Sequence, residues 1–198
     1  MAATPKTALL VQVDSFQAKV WSAALASQSI TVIQEATNVD LGVMLEQMGA
    51  AGLTLPDLVI VDMASEGMNP FAFCRFCRNQ YPNVKVLLTN STQTQITESE
   101  QRWAISQGAQ DLLPAFQTSS LLTDLITALG QTTQVLGLPI LDQQALIQIL
   151  PKLLETPAVP GSEAEAVAEA PAPTVSQPPA PPAPEAPKPQ RFYRGRPY

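Results

Sequence analysis

Along the first 130 or so residues, hydrophobic positions switch repeatedly between short continuous runs and helical stripes, the alternation that an α/β fold requires. Ala8 to Val13 (ALLVQV) is an apolar run of strand length, and the stretch from Phe16 to Ser27 then sets Phe16, Val20, Ala23, Ala24 and Ser27 on one helical face. Ile30 to Glu35 repeats the strand. Leu41, Met44, Leu45 and Met48 repeat the stripe, with Gly49 and Gly52 as its stop. Leu58 to Val61 reads as a buried strand introduced by Pro56 and ended by Asp62. A helix fits Pro70 to Gln80, with proline in its first turn, and Pro82 separates it from a strand at Val84 to Thr89. Thr97 and Glu100 form a capping-box pair opening a helix through Arg102, Trp103 and Ile105, which closes at Gly108. Asp111 to Leu113 is a fifth short strand, and Leu121, Leu122, Leu125, Ile126 and Leu129 mark the helix that follows it.

Five strand–helix units predict an α/β fold with a doubly wound, five-stranded parallel sheet spanning residues 7–130. Right-handed crossovers follow, and ligands gather at the carboxyl ends of the strands where strand order reverses. Asp14, Asp62 and Thr89 fall at such ends. Residues 131–155 read as a linker and an extra amphipathic helix, N-capped by Asp142, with Ala145, Ile149 and Leu153 on its stripe and Leu146 and Leu150 beside it. Pro151 is expected to kink or end it. This helix covers either its own domain or a partner.

Thirteen of the nineteen prolines stand at or beyond Pro151, and residues 156–190 hold almost no large apolar side chains. Such a segment cannot bury a core and is expected to be a disordered, semi-stiff tether. Residues 191–198 (RFYRGRPY) finish it with a basic-aromatic motif: Arg191, Phe192, Tyr193, Arg194, Arg196 and Tyr198 are the expected partner-binding residues.

Composition narrows the function classes. No apolar stretch reaches the roughly 20 residues of a membrane span, and MAATPKTALLVQVDS lacks a cleavage site, so a cytoplasmic protein without membrane partners is expected. With no histidine and only Cys74 and Cys77, imidazole-based hydrolysis and a four-ligand zinc site are disfavoured. Cys74 and Cys77 have the spacing of a redox pair, but both lie inside a predicted helix, where packing is the expected role. A net charge of −6 argues against general nucleic-acid binding.

The segment PDLVIVDMASEGMNPFAFCRFCRNQYPNVKVLLTN resembles the central stretch of bacterial response-regulator receiver domains. The resemblance implies a flavodoxin-like receiver fold, a phosphoacceptor aspartate at Asp62 and a phosphoryl-sensing hydroxyl at Thr89. It further implies an acidic pocket that helps hold magnesium, for which VQVDSF offers Asp14 at the first position and Ser15 at the second. The GAQDLLPAF stretch resembles the one that carries an aromatic switch residue and a lysine. Here Leu112 takes the aromatic position and Pro114 or Ala115 the lysine position; no lysine occurs between Lys85 and Lys152. In the loop after Asp62, Glu66 and Pro70 replace the family's usual proline and glycine.

Aspartyl phosphorylation needs the carboxylate and the incoming oxygens neutralised together. Losing one preorganised electrostatic contact typically costs about 3 kcal/mol of transition-state stabilisation. The sequence therefore reads as a non-enzymatic adaptor: a degenerate receiver, similar in kind to those of cyanobacterial circadian proteins, docking proteins through its receiver face and tail. No cofactor is expected unless phosphorylation is retained, in which case magnesium on Asp14 and Asp62 and a histidine kinase are implied. A phosphorylatable single-domain regulator and a structural or assembly protein on the same fold are the alternatives.

Overall fold

Five short strands, β1 (Thr7–Val11), β2 (Thr31–Gln34), β3 (Leu58–Asp62), β4 (Lys85–Asn90) and β5 (Asp111–Pro114), pair in parallel in the order β2-β1-β3-β4-β5. The chain winds outward from β1 to β2, returns across β1 to β3, and winds outward again. This doubly wound order reverses between β1 and β3 and opens a crevice at their carboxyl ends. The computed structural model describes residues 5–138, 141–154, 192–193 and 196–197. The chain divides into two units, Met1–Val159 and Pro160–Tyr198.

Strand residues alternate between two hydrophobic layers, as the pleat dictates. Ala8, Leu10, Leu58, Ile60 and Leu87 face α1 (Ser15–Ser27) and α5 (Leu121–Leu136); Leu9, Val11, Val59, Val61 and Leu88 face α2 (Leu41–Ala50), α3 (Pro70–Gln80) and α4 (Glu98–Gln107). The helix starts carry the expected caps. Asn69 Oδ1 accepts from the backbone of Phe71 and Ala72 ahead of α3, and the Thr97–Glu100 capping box opens α4, which Gly108 closes at φ 109°.

A sixth helix, α6 (Gln143–Leu154), packs on α1 and α5 of its own domain, with Leu146 completely buried and Leu141, Ile149, Leu150 and Leu153 beside it. Asp142 caps it through the backbone N–H groups of Gln144 and Ala145. A reciprocal pair of bonds joins it to the end of α1: Gln28 Nε2 donates to Asp142 O at 3.1 Å, and Asp142 N donates to Gln28 Oε1 at 2.8 Å. Pro151 does not end α6; the helix continues through it for one further turn, whose Leu153 packs on the core.

Several elements depart from the sequence pattern. β1 stops at Val11, two residues before the end of the apolar run, leaving Gln12 buried and Val13 half exposed. The buried face of α1 is Gln17, Val20, Trp21, Ala24 and Leu25, rotated from the stripe through Phe16, Ala23 and Ser27. The physical reason is Gln17. Its amide makes two bonds to the Phe116 backbone, so a polar side chain occupies a core position that hydrophobicity alone gives to its neighbours. Only Leu121, Leu125 and Leu129 of the predicted α5 stripe point inward; Leu122 and Ile126 stay partly exposed, because five such residues span more arc than one contact face covers. α5 also runs to Leu136, taking in residues 131–136 that the pattern gives to a linker, and ends at Gly137 in the left-handed region. Gly49 lies inside α2, which stops only after Ala50.

In the second unit, β6 (Phe192–Tyr193) and β7 (Arg196–Pro197) pair antiparallel, with Tyr193 opposite Arg196. The expected tether, residues 156–190, lies outside the described residues.

Candidate functional site

Asp62 ends β3, the central strand, and is completely buried. Its register partner on β4 is Thr89, also buried. On the other side, β1 pairs with β3 through Val11 and Val61, so the next residue, Gln12, stands alongside Asp62. Gln12 Nε2 donates to Thr89 Oγ1 at 2.8 Å. β1 and β4 flank β3 at about 4.8 Å per step, so this bond between side chains spans roughly 10 Å of sheet across the position of Asp62. Gln12, Asp62 and Thr89 thus form one lateral row at the strand ends.

The loop after β3 folds back on that row. Ala64 N donates to Asp62 Oδ1 at 3.0 Å, Ser65 N to Asp62 O at 3.1 Å, and Met63 N to Thr89 O at 2.8 Å. Gly67 N then bonds Thr37 O, where a side chain would force the backbone to shift: a Cβ on Gly67 would lie 2.5 Å from the Asn38 carbonyl carbon and 2.8 Å from Val39 O. In this row and loop three buried side-chain oxygens have no hydrogen-bond partner: Asp62 Oδ2, Gln12 Oε1 and Ser65 Oγ. The ion pairs among the described residues are Lys6–Asp57 and Arg102–Glu98, so none of the described cations pairs with Asp62.

Two of the three expected site residues come together, and one does not. Asp14 lies three residues beyond the end of β1, exposed, where its Oδ1 accepts from Gln17 N at 2.8 Å as the N-cap of α1. Ser15 is the first residue of that helix. The register therefore places Gln12 and Val13, not Asp14 and Ser15, at the two positions following β1 beside Asp62. This corrects the expected acidic pocket at Asp14 and Ser15, which lies two residues too far along because β1 ends at Val11 and not at Val13. Glu66 is exposed in the loop, and Pro70 is the first residue of α3.

Leu112 is buried in β5, Pro114 pairs with Asn90, and Ala115 N donates to Gln93 O. Neither Pro114, which ends β5, nor Ala115 after it supplies a charge. At the mouth of the crevice an open cleft of about 580 Å³ runs between Asp14, Gln17, Ser91, Thr94 and Ala115, and Leu153 and Leu154 of α6 close one side. Gln17 and Gln12 are the polar residues that sequence reasoning missed. The available signal for Gln12 was a single amide interrupting the apolar run ALLVQV.

The residues present do not fit the magnesium ion that the resemblance implies. Magnesium keeps several of its waters and is held through carboxylate oxygens. Here the one carboxylate in the row is closed off from solvent, and its neighbours at the end of β1 are an amide and an aliphatic side chain. Among the described residues no three His, Cys, Asp or Glu side chains gather to hold a metal.

Cys74 and Cys77 are buried in α3, and burial pushes both thiols up to about 12. They are packing groups, with little thiolate at neutral pH. Of the terminal motif, Phe192, Tyr193 and Arg196 lie on the β6–β7 pair, whereas Arg191, Arg194 and Tyr198 lie outside the described residues. Among the described residues no helix is long and apolar enough to cross a membrane.

No protein-family model and no curated protein matches the chain. Solved structures do. A response regulator from Thermotoga maritima matches at 17% identity and a TM-score of 0.50, covering 68% of this chain and 99% of that one. The CheX-CheY-BeF3-Mg complex from Borrelia burgdorferi matches at 15% identity and a TM-score of 0.52, over 66% of this chain and 89% of that one. At such identities the likeness is one of fold: this chain carries the α/β, flavodoxin-like fold of receiver domains over two-thirds of its length.

Proposed function

We propose that this protein is a non-enzymatic signalling or regulatory adaptor whose receiver-like domain docks proteins without a phosphorylation cycle. The observation that carries this reading is the environment of Asp62: a buried carboxylate with no ion-pair partner among the described residues, beside an amide instead of an acid. With no lysine paired to Asp62 among the described residues and no second carboxylate beside it to hold a metal, the charge that accumulates during phosphoryl transfer lacks a counter-charge from the protein. The basic-aromatic segment 191–198 supplies a second contact, and tethering it to the domain raises its effective concentration at a shared partner.

The competing reading is a phosphorylatable regulator that accepts phosphate on Asp62, with a histidine kinase as donor and magnesium as cofactor. It is favoured by one observation, the placement of Asp62 at the end of the central strand with Thr89 in register beside it. Incubation with magnesium and a small phosphodonor, read by intact mass, separates the two: the adaptor reading expects no adduct, and a stable adduct on Asp62 overturns it. Affinity purification with the full chain, a chain ending at Glu155 and Asp62→Ala then assigns partners to the tail or to the domain. Partners lost only in Asp62→Ala would favour phosphorylation.

A further inference from the structure

We infer that Gln12 is a positioning residue that locks the crevice, holding the Thr89 hydroxyl turned inward across Asp62 so that the domain presents one surface in all conditions. The inference rests on the adaptor reading and names the regulation of the same site.

The argument begins with the row Gln12, Asp62, Thr89. A threonine has three staggered χ1 wells, and a buried one without a partner is free to exchange between them if the neighbours allow it. At Thr89 the Gln12 amide removes that freedom with a buried bond of 2.8 Å. A buried hydrogen bond is costly to break when no water replaces it, so the alternative rotamers, which leave the Gln12 donor unsatisfied, are depopulated. The carbonyl of Thr89 is also held, by Met63 N, so both ends of this residue are tied to the segment around Asp62.

An acid in place of Gln12 would behave differently. A carboxylate has no hydrogen to donate and would stand beside Asp62 as a like charge, disfavouring both ionised groups unless a cation joined them. The amide adds a donor to the row without adding charge. It lets Asp62 stay buried beside it, and it makes the position of Thr89 independent of any ion. A two-state element responds to a ligand only if that ligand favours one state. With Thr89 tied in one state, beryllofluoride and magnesium have no second state to select.

The test uses the full chain and the three-bond couplings of the Thr89 methyl group in solution. The lock expects couplings of a single rotamer in the wild type, unchanged by magnesium with beryllofluoride. It also expects Gln12 side-chain amide protons that exchange more slowly than those of the exposed Gln148. In Gln12→Met, which keeps the volume and removes the donor, the couplings should move to rotamer-averaged values. Rapid exchange of the Gln12 amide in the wild type overturns the lock without reference to any variant. Averaged Thr89 couplings in the wild type, or an unaveraged Thr89 in Gln12→Met, overturn the lock alone and leave docking standing. A shift of Thr89 on adding beryllofluoride to the wild type overturns the lock and the adaptor reading together.

Discussion

Two glutamines in this domain make the same pair of bonds in opposite surroundings, and together they measure what burial adds to a hydrogen bond. Gln17 Nε2 donates to Phe116 O at 3.0 Å while Gln17 Oε1 accepts from Phe116 N at 2.9 Å, and both residues are buried. Gln28 bridges Asp142 in the same manner, but at the surface. Replacing either glutamine with methionine keeps length and helix propensity and removes both bonds. At Gln17 the change leaves a buried N–H and a buried C=O unsatisfied, each worth about 1–3 kcal/mol, and the methionine recovers part of this through apolar burial. The expected loss is about 2–4 kcal/mol. At Gln28 water takes over both backbone groups, and the loss should stay below about 0.5 kcal/mol. Urea titration followed by tryptophan fluorescence should show a lower midpoint with unchanged slope for Gln17→Met and a near-wild-type curve for Gln28→Met. By heat, the buried variant should melt roughly 6–12 °C lower, at about 3 °C per kcal/mol for a domain of this size. If Gln17→Met unfolds within about 0.5 kcal/mol of the wild type, or if the two variants lose equal stability, the buried bridge does not hold α1 to the β5–α5 loop as argued.

Gly67→Ala should destabilise the domain by about 1–3 kcal/mol, because the new methyl group meets the Asn38 and Val39 backbone rather than a movable side chain. Gly130→Ala, facing open space inside α5, should instead gain about 0.5–1 kcal/mol; thermal melts that rank these two variants the other way contradict the packing. Asp57 titrates below its ordinary 3.8: burial works to raise it, but the Lys6 side-chain bond, the Thr7 backbone N–H and the Lys6 charge outweigh burial. A depressed folded value means stability that is present above the ordinary pKa and lost as pH falls through the folded one. With both side chains about one-third exposed, this contribution is under about 1 kcal/mol. The deficit of Asp57→Asn in urea should therefore be measurable near about pH 6 and vanish by about pH 2. A deficit of equal size at both ends would rule out the ion pair as its source.

Periodicity made the architecture legible because each strand–helix unit is encoded locally. Pro70, Thr97 with Glu100, and Gly108 mark their helix ends through bonds within a few residues, and the structure keeps all of them. The site was legible only where it coincides with a strand end, as at Asp62 and Thr89. What lay hidden depends on lateral register, which no local pattern fixes. Two residues too many in β1 moved the reading from Gln12 to Asp14, and the Gln12–Thr89 bond joins residues 77 apart. Gln17 was obscured in the same way, since its partner Phe116 is 99 residues downstream.

The seat of α6 on α1 also sets a clock during synthesis. Gln28 and Asp142 are 114 residues apart, so at about 5–20 residues per second the outer side of α1 waits roughly 6–23 s after its own translation before its cover exists. Through that interval the part of α1 on which α6 later packs stays open to water.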